Sequence, residues 1–318
     1  MIFATNFGER LLQTFAKGLA QGSLYALVAL GFVLIFKATQ TVNFAQGAIA
    51  LVGAWFASLL LVDWRVPGRW LGDNDYVVWI SAVVLAALLT AVLGLVIERT
   101  VIRRMVGEPL FSVAVITLGL EAVIRTIGFD AVNINPRSLE IPWGFDGFNI
   151  GGAFIGWTYV AIYIATALAF VAIYFFFRTR LGIAMRAVAF DQEAALAQGI
   201  SVGKVFAIAW GASAALAAIA GVLSSGAPIG SSTVGAGITG LAFRALPAVI
   251  LGGLDSVNGA LVGGIVIGCA EVFSGQYLSN YTNQLGNGYA LIVPYVVMLG
   301  VLLVRPYGLF GTPEIRRV

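Results

Sequence analysis

Polar and apolar positions along the 318 residues divide the chain into long apolar runs separated by short polar ones. Runs near 18–36, 44–62, 76–97, 109–129, 157–177, 205–225, 257–274 and 288–304 predict helices, and a shorter, interrupted run lies at 236–253. Three of these, 76–97, 157–177 and 205–225, run for at least 21 residues without a charged residue. About 20 apolar residues suffice to cross a hydrocarbon core as a helix. An open chain must be helical there, because each backbone polar group has to be satisfied within its own segment. A barrel would need period-two alternation, which these runs lack. The pattern therefore predicts an all-α integral membrane protein of about eight or nine transmembrane helices, in a single polytopic domain over 1–318.

Two polar stretches interrupt the helical pattern, and broken or re-entrant segments are expected near 39–47 and 236–259. The first ends in Asn43-Phe44-Ala45-Gln46-Gly47 and the second carries Asp255-Ser256-Val257-Asn258-Gly259. Similar runs follow them, Gly47-Ala48-Ile49-Ala50-Leu51-Val52-Gly53 and Gly259-Ala260-Leu261-Val262-Gly263, which hints at an internal duplication. Interrupted helices at matching places in two halves point to a translocation path. On that reading Asn43, Gln46, Gly47, Asp255 and Asn258 are path residues. Ordinary loops whose helices are capped by Asn or Asp would give the same pattern.

Composition agrees with the hydropathy pattern: 60% of residues are hydrophobic and 10% charged, with a mean hydropathy of +0.95. Ordinary globular chains carry about 25% charged residues. Short cytoplasmic loops collect Lys and Arg, so three basic sets orient the chain. These are Arg99, Arg103 and Arg104; Arg178, Arg180, Arg186 and Lys204; and Arg305, Arg316 and Arg317. Segment 130–156 sets Asp130, Glu140 and Asp146 against Arg137. Alternation then puts the basic sets in the cytoplasm and the N-terminus outside, provided 236–253 crosses fully. The first 18 residues lack the pattern of a signal peptide and read as an amphipathic lead-in to the first helix.

The longest basic loop, 178–204, contains Glu193-Ala194-Ala195 and then Gly199. Helix formers over 192–198 followed by glycine predict a helix of one to two turns with a glycine stop. Its small alanines suit a face that seats in a partner's groove. With Arg186, residues Glu193, Ala194, Ala195 and Gly199 form a candidate coupling element for a cytoplasmic partner.

At this point the chain resembles the permease subunits of ABC importers for branched-chain and related amino acids or amides. The resemblance rests on Val42-Asn43-Phe44-Ala45-Gln46-Gly47, on Arg178-Thr179-Arg180-Leu181-Gly182 leading into the loop, and on Ala248-Val249-Ile250-Leu251-Gly252-Gly253 with Asn258-Gly259-Ala260. A fourth motif, Leu303-Val304-Arg305-Pro306 followed by Gly308-Leu309-Phe310-Gly311, lies near the C-terminus. The general importer pattern ends its loop in Ile-x-Leu-Pro, which is absent after Gly199. The resemblance implies a multi-pass protein of the bacterial cytoplasmic (inner) membrane. It also implies a second homologous permease subunit, two cytoplasmic ATPase subunits and an extracytoplasmic solute-binding protein as partners. The implied cargo is branched-chain or other neutral amino acids, with urea or short amides as the alternative.

Charges inside apolar runs are costly unless paired or hydrated. Glu121 and Arg125 are four apart, the spacing of a pair on one helical face; they fit an internal ion pair or a substrate contact. Arg244 and Glu271 lie in the runs at 236–253 and 257–274, where a pathway role and an interfacial position are both open.

Absences narrow the chemistry. There is no histidine and one cysteine, Cys269, which excludes a disulfide framework and a Cys/His metal site. The three lysines, Lys17, Lys37 and Lys204, stand in no P-loop context. The chain is therefore expected to be no enzyme and to bind no cofactor, leaving ATP to partner subunits. The net charge of +3 is spread over short loops, which gives no footprint for nucleic acid. A self-sufficient channel or an ion-coupled carrier for small neutral solutes is the competing class. Neither needs an alanine-rich docking loop, and a carrier would need an acidic coupling site such as Glu121.

Overall fold

The computed structural model describes residues 7–312 apart from 67, 73, 133–136, 231–232 and 287. The order of helices is α1 (Phe7–Thr39), α2 (Gln46–Ser58, continued by a π turn over Leu59–Asp63), α3 (Gly68–Leu71), α4 (Asp75–Thr100) and α5 (Leu110–Val132). Then come α6 (Trp157–Phe176), α7 (Arg180–Phe190), α8 (Gln192–Ala197), α9 (Val202–Ser224), α10 (Gly240–Gly252), α11 (Val257–Tyr277), α12 (Thr282–Leu285) and α13 (Tyr289–Val304). Two small antiparallel pairs complete the fold, β1 (Arg137–Ser138) with β4 (Thr233–Val234) and β2 (Gly147–Ile150) with β3 (Ala153–Gly156).

Seven helices among the described residues are long and apolar enough to cross a membrane, and the apolar helices Gly237–Gly252 and Tyr289–Val304 are shorter. The sixteen residues of α13 span about 24 Å at 1.5 Å per residue. The chain is thus a multi-pass helical membrane protein. Boundaries differ from the hydropathy reading in two places. Helix α1 begins at Phe7 rather than near 18, so the amphipathic lead-in is its first turns. The run at 236–253 is a short 3₁₀ turn and then an unbroken helix through Pro247. The interruptions fall between helices, over 40–45 and 253–256.

The bundle is concentric. In its most apolar window α1 is 83% buried, whereas α5 is 11% buried. Helix α1 runs down the centre against α11, α9, α6 and α10, while α5 touches chiefly α2. Water-driven collapse does not operate between helices in lipid, so close backbone approach at small residues holds them together. On α1 these residues are Gly18, Gly22 and Ala26, and on α11 they are Gly264 and Gly268. A Cβ on Gly22 would stand 2.6 Å from Ile265 Cα, and one on Gly264 the same distance from Ala26 Cα. Both rows have four-residue spacing, so the crossing can be read from the sequence once the partner helix is known.

Side-chain contacts identify what shares each end. At one end the β2–β3 turn meets the start of α1, where Gly151 lies beside Leu12. There too Thr158 donates to Ala227 O, and Ser58 Oγ to Ser138 O at 3.2 Å. At the opposite end Lys37 Nζ sits 5.2 Å from the Phe177 ring centroid. The C-terminal Leu309 and Phe310 amides there donate to Leu251 O and Gly252 O at 2.8 and 3.0 Å.

Candidate functional site

The α7–α8 end holds the loop that the sequence singled out. Thr179 opens α7 by accepting from Gly182 N at 3.3 Å. Arg186 Nη2 donates to Phe177 O at 3.3 Å, satisfying a carbonyl at the end of α6. Met185 and Val188 bury α7 against the bundle, while Leu181, Ile183 and Phe190 stay exposed. Asp191 closes α7 and caps α8, its Oδ1 accepting from Ala194 N at 2.9 Å. Gly199 then stops α8 at φ +80°, with Gly199 N donating to Leu196 O and Ile200 N to Ala195 O at 2.9 and 3.0 Å. These two bonds make a Schellman closure, for which a residue with φ above zero is required. Ala195 is buried, whereas Glu193, Ala194 and Gly199 are exposed. Phe190 is 94% exposed and Leu196 54% exposed, an apolar pair on a charged end.

The sequence reading did not single out the anchor of this loop. Glu98, near the end of α4, is 1% exposed and receives two bonds from Arg103, Nε to Oε1 at 3.0 Å and Nη2 to Oε2 at 2.8 Å. Arg103 Nη2 also donates to Gly203 O in the first turn of α9, at 3.1 Å. This ion pair ties α4 to the helix that leaves the α7–α8 loop. Its spacing of five fits no regular helical pair, because a 3₁₀ turn over Ile102–Met105 intervenes, and so the pattern gives no signal for it.

Asn43 and Gln46 meet in a buried knot. Asn43 Oδ1 accepts from Ala45 N at 3.0 Å, and Asn43 Nδ2 donates to Gln46 Oε1 at 3.2 Å. Gln46 Nε2 donates to Ser213 O at 3.3 Å, and Ser213 Oγ lies 2.9 Å from Gly31 O and 3.0 Å from Gln46 Oε1. The knot joins α1, the start of α2 and α9. A Cβ on Gly47 would fall on the carbonyl of Thr239 and 3.2 Å from the Ala242 side chain. Gly47 therefore lets α10 approach α2.

Asp255 and Asn258 lie at the turn into α11. Ser256 is the residue that caps this helix, accepting from Gly259 N at 3.0 Å. Asp255 Oδ2 accepts from Thr312 Oγ1, and Asn258 is exposed. No hydrogen bond joins this pair to Asn43 or Gln46 among the described residues. Glu121 and Arg125 do pair on α5, Arg125 Nε to Glu121 Oε1 at 3.1 Å.

Arg244 and Glu271 come together where the sequence left them unassigned. Both line a cavity of about 510 Å³ between α1, α10 and α11. Tyr25 Oη donates to Glu271 Oε2 at 2.5 Å from 246 residues away. Gln13, Lys17 and Gln21 line the same cavity and, with Tyr25, recur every four residues along α1. That polar stripe in an otherwise apolar helix was the available signal. Among the described residues no cluster of three or more acidic, histidine or cysteine side chains could hold a metal ion.

Comparison with known proteins agrees with this architecture. The family model "Branched-chain amino acid transport system / permease component" matches residues 14–302. The high-affinity branched-chain amino acid transport system permease protein BraD of Pseudomonas aeruginosa is 29% identical over 312 residues, covering 96% of this chain and 98% of the relative. The corresponding protein LivH of Escherichia coli strain K12 is 29% identical over 314 residues, covering 96% and 97%. The ribose import permease protein RbsC of the same strain is 26% identical over 303 residues, covering 90% and 83%. No solved structure matches the chain. A match across nearly the whole helical bundle shows that the chain belongs to the family of branched-chain amino acid transport system permease components, membrane transport proteins and not enzymes.

Proposed function

We propose that the chain is the transmembrane permease subunit of an ATP-driven importer for branched-chain or other neutral amino acids, working in the bacterial cytoplasmic membrane. In this reading separate ATPase subunits, which bind and hydrolyse the ATP, dock on the α7–α8 end. A second homologous permease subunit lies beside the chain, and a solute-binding protein delivers cargo at the opposite end. The observation that carries the reading is the geometry of the loop. Two capped helices, closed by Asp191 and Gly199, hold Phe190 and Leu196 out of the protein in a segment that also carries Arg178, Arg180 and Arg186. Large apolar side chains held outside the bundle at a charged end suit contact with a protein partner.

The loop is also placed to pass on movement. Helix α7 packs on α1 and α9, and the Arg103 link ties the start of α9 to α4. A push on α7–α8 is thereby delivered to the central helices as a rigid displacement, which is what alternating access requires. Asp255 and Asn258 lie at the same end, where a route along α1 and α11 would empty. The buried knot of Asn43, Gln46 and Ser213 would fix the α1–α2 turn as those helices move.

Cargo is argued from the relatives. The branched-chain amino acid permeases match over more of their length than the ribose permease does. The test is reconstitution of the chain with its ATPase subunits and binding protein in liposomes, followed by labelled leucine uptake. ATP-dependent uptake is expected. Leucine flux through the chain alone, or assembly without any ATPase subunit, overturns the reading in favour of a channel or carrier.

A further inference from the structure

The cavity at Arg244 and Glu271 has chemistry that the coupling end does not explain. Four formal charges line it, Arg10 and Lys17 on α1, Arg244 on α10 and the single carboxylate Glu271 on α11, and Arg244 and Glu271 attract one another across the cavity. Glu271 is held in place, because the buried Tyr25 hydroxyl occupies Oε2 and leaves the remaining acceptor positions of the carboxylate available. Arg244 is exposed to the cavity and makes no hydrogen bond or ion pair among the described residues. A guanidinium is a planar fork suited to a carboxylate. The cavity has room for a small solute and runs from the first turns of α1 to the last turn of α11, so it lies towards the end away from α7–α8.

A second cavity of about 260 Å³ adjoins the first, and Gln21, Ile229 and Arg244 line both. Beyond that shared boundary its walls are Leu24, Ile238 and Leu241 together with Ser224, Ser225 and Thr233. A charged pair beside a smaller annex with three aliphatic residues in its mixed wall suits one kind of solute. It must carry an anion and a cation on the same small unit and an aliphatic group next to them. Binding pockets work in this way, with apolar walls for affinity and a few placed polar groups for orientation.

We propose that the paired cavities are a binding station for a zwitterionic amino acid with an aliphatic side chain, its carboxylate on Arg244, its ammonium on Glu271 and its side chain in the annex against Leu24, Ile238 and Leu241. The inference rests on the importer reading and adds that the permease itself screens both charges and the side chain after delivery. An uncharged sugar or amide meets the charged pair without neutralising it, and so pays for stripping water from both groups. Arg10, Gln13 and Lys17 extend the polar side of the station towards the first turns of α1.

The test uses a reporter cysteine at Ile229, which borders both cavities, in a Cys269→Ala background. Its labelling by a thiol reagent is followed on the purified full chain without ATPase subunits. Millimolar leucine is expected to slow labelling several-fold, while 4-methylpentanoate and isopentylamine, which each lack one charge, have little effect. Adding Arg244→Gln or Glu271→Gln should abolish leucine protection, and Leu241→Phe, which fills the annex, should favour alanine over leucine. Equal protection by the single-charge analogues, or leucine protection that survives both Arg244→Gln and Glu271→Gln, overturns the proposal. Absence of protection by leucine in the parent chain overturns it as well. Failure of the importer reading shows separately, as the lack of ATP-dependent uptake in the complete assembly.

Discussion

Replacing Arg103 by methionine is the sharpest test of how the α7–α8 loop is anchored. The substitution keeps an apolar stem but removes both bonds to Glu98 and the bond to Gly203 O. Glu98 is 1% exposed, so its charge would remain buried with no counter-ion. Breaking a buried pair from one side costs about 3–5 kcal/mol, whereas an exposed pair is worth about 0–1 kcal/mol. The Arg103 side chain is 38% exposed, so water can follow the lost guanidinium, and the lower figure of about 3 kcal/mol applies. That corresponds to about a hundredfold shift in the unfolding equilibrium. Glu98 also lies in the last turn of α4, where the carbonyl end of the helix disfavours an anion and adds to the penalty. The assay is reversible unfolding of the purified chain in mixed micelles, comparing Arg103→Met, Glu98→Leu and the double variant. Because replacing a whole buried pair by apolar groups is often neutral, the double variant should recover most of the stability lost in Arg103→Met. A loss below about 1 kcal/mol in Arg103→Met would mean a surface pair. A double variant no better than the single would show that the Gly203 contact, and not the buried charge, carries the effect.

Gly47→Leu should prevent a monodisperse permease from forming, because its Cβ falls on the Thr239 carbonyl; a normal size-exclusion profile with normal uptake would refute the packing role. Gly199→Val should insert and purify normally but lose ATPase docking and uptake, with Gly199→Asn milder. A Cβ there meets nothing within 4 Å, so the effect comes from the φ of +80° alone, about 1–2 kcal/mol of left-handed strain; equal docking by both variants would refute it. In a Cys269→Ala background, Asn149→Cys should label from outside the cell and Gln192→Cys only from the cytoplasm, and reversed labelling would invert the proposed orientation. Gln46→Leu should destabilise the chain by about 1–3 kcal/mol by leaving Asn43 Nδ2 buried without its partner. Unchanged stability with lost uptake would instead place Gln46 on the cargo route.

What the sequence determined alone is whatever depends on neighbours along the chain. Apolar length is a local property set against a fixed bilayer thickness, so the seven long apolar helices and the two shorter ones among the described residues appear close to where hydropathy puts them. The α8 stop was legible for the same reason, since a glycine after 192–198 closes a helix by bonds reaching back three and five residues. The Glu121–Arg125 pair, one turn apart on α5, was equally local. Tertiary structure alone decided which polar groups meet across helices. Nothing near Glu271 in the chain indicates Tyr25, 246 residues away, and nothing near Glu98 indicates that a 3₁₀ turn swings Arg103 back onto it. Nothing beside Gln46 in the chain indicates that Ser213 of α9 bonds it, and nothing beside Gly47 indicates that α10 lies against it. The physical reason is that these helices are apolar on nearly every side, so hydropathy fixes that they insert but not which faces turn inward. Those faces are chosen by small residues that permit contact and by polar groups that must find one another away from water.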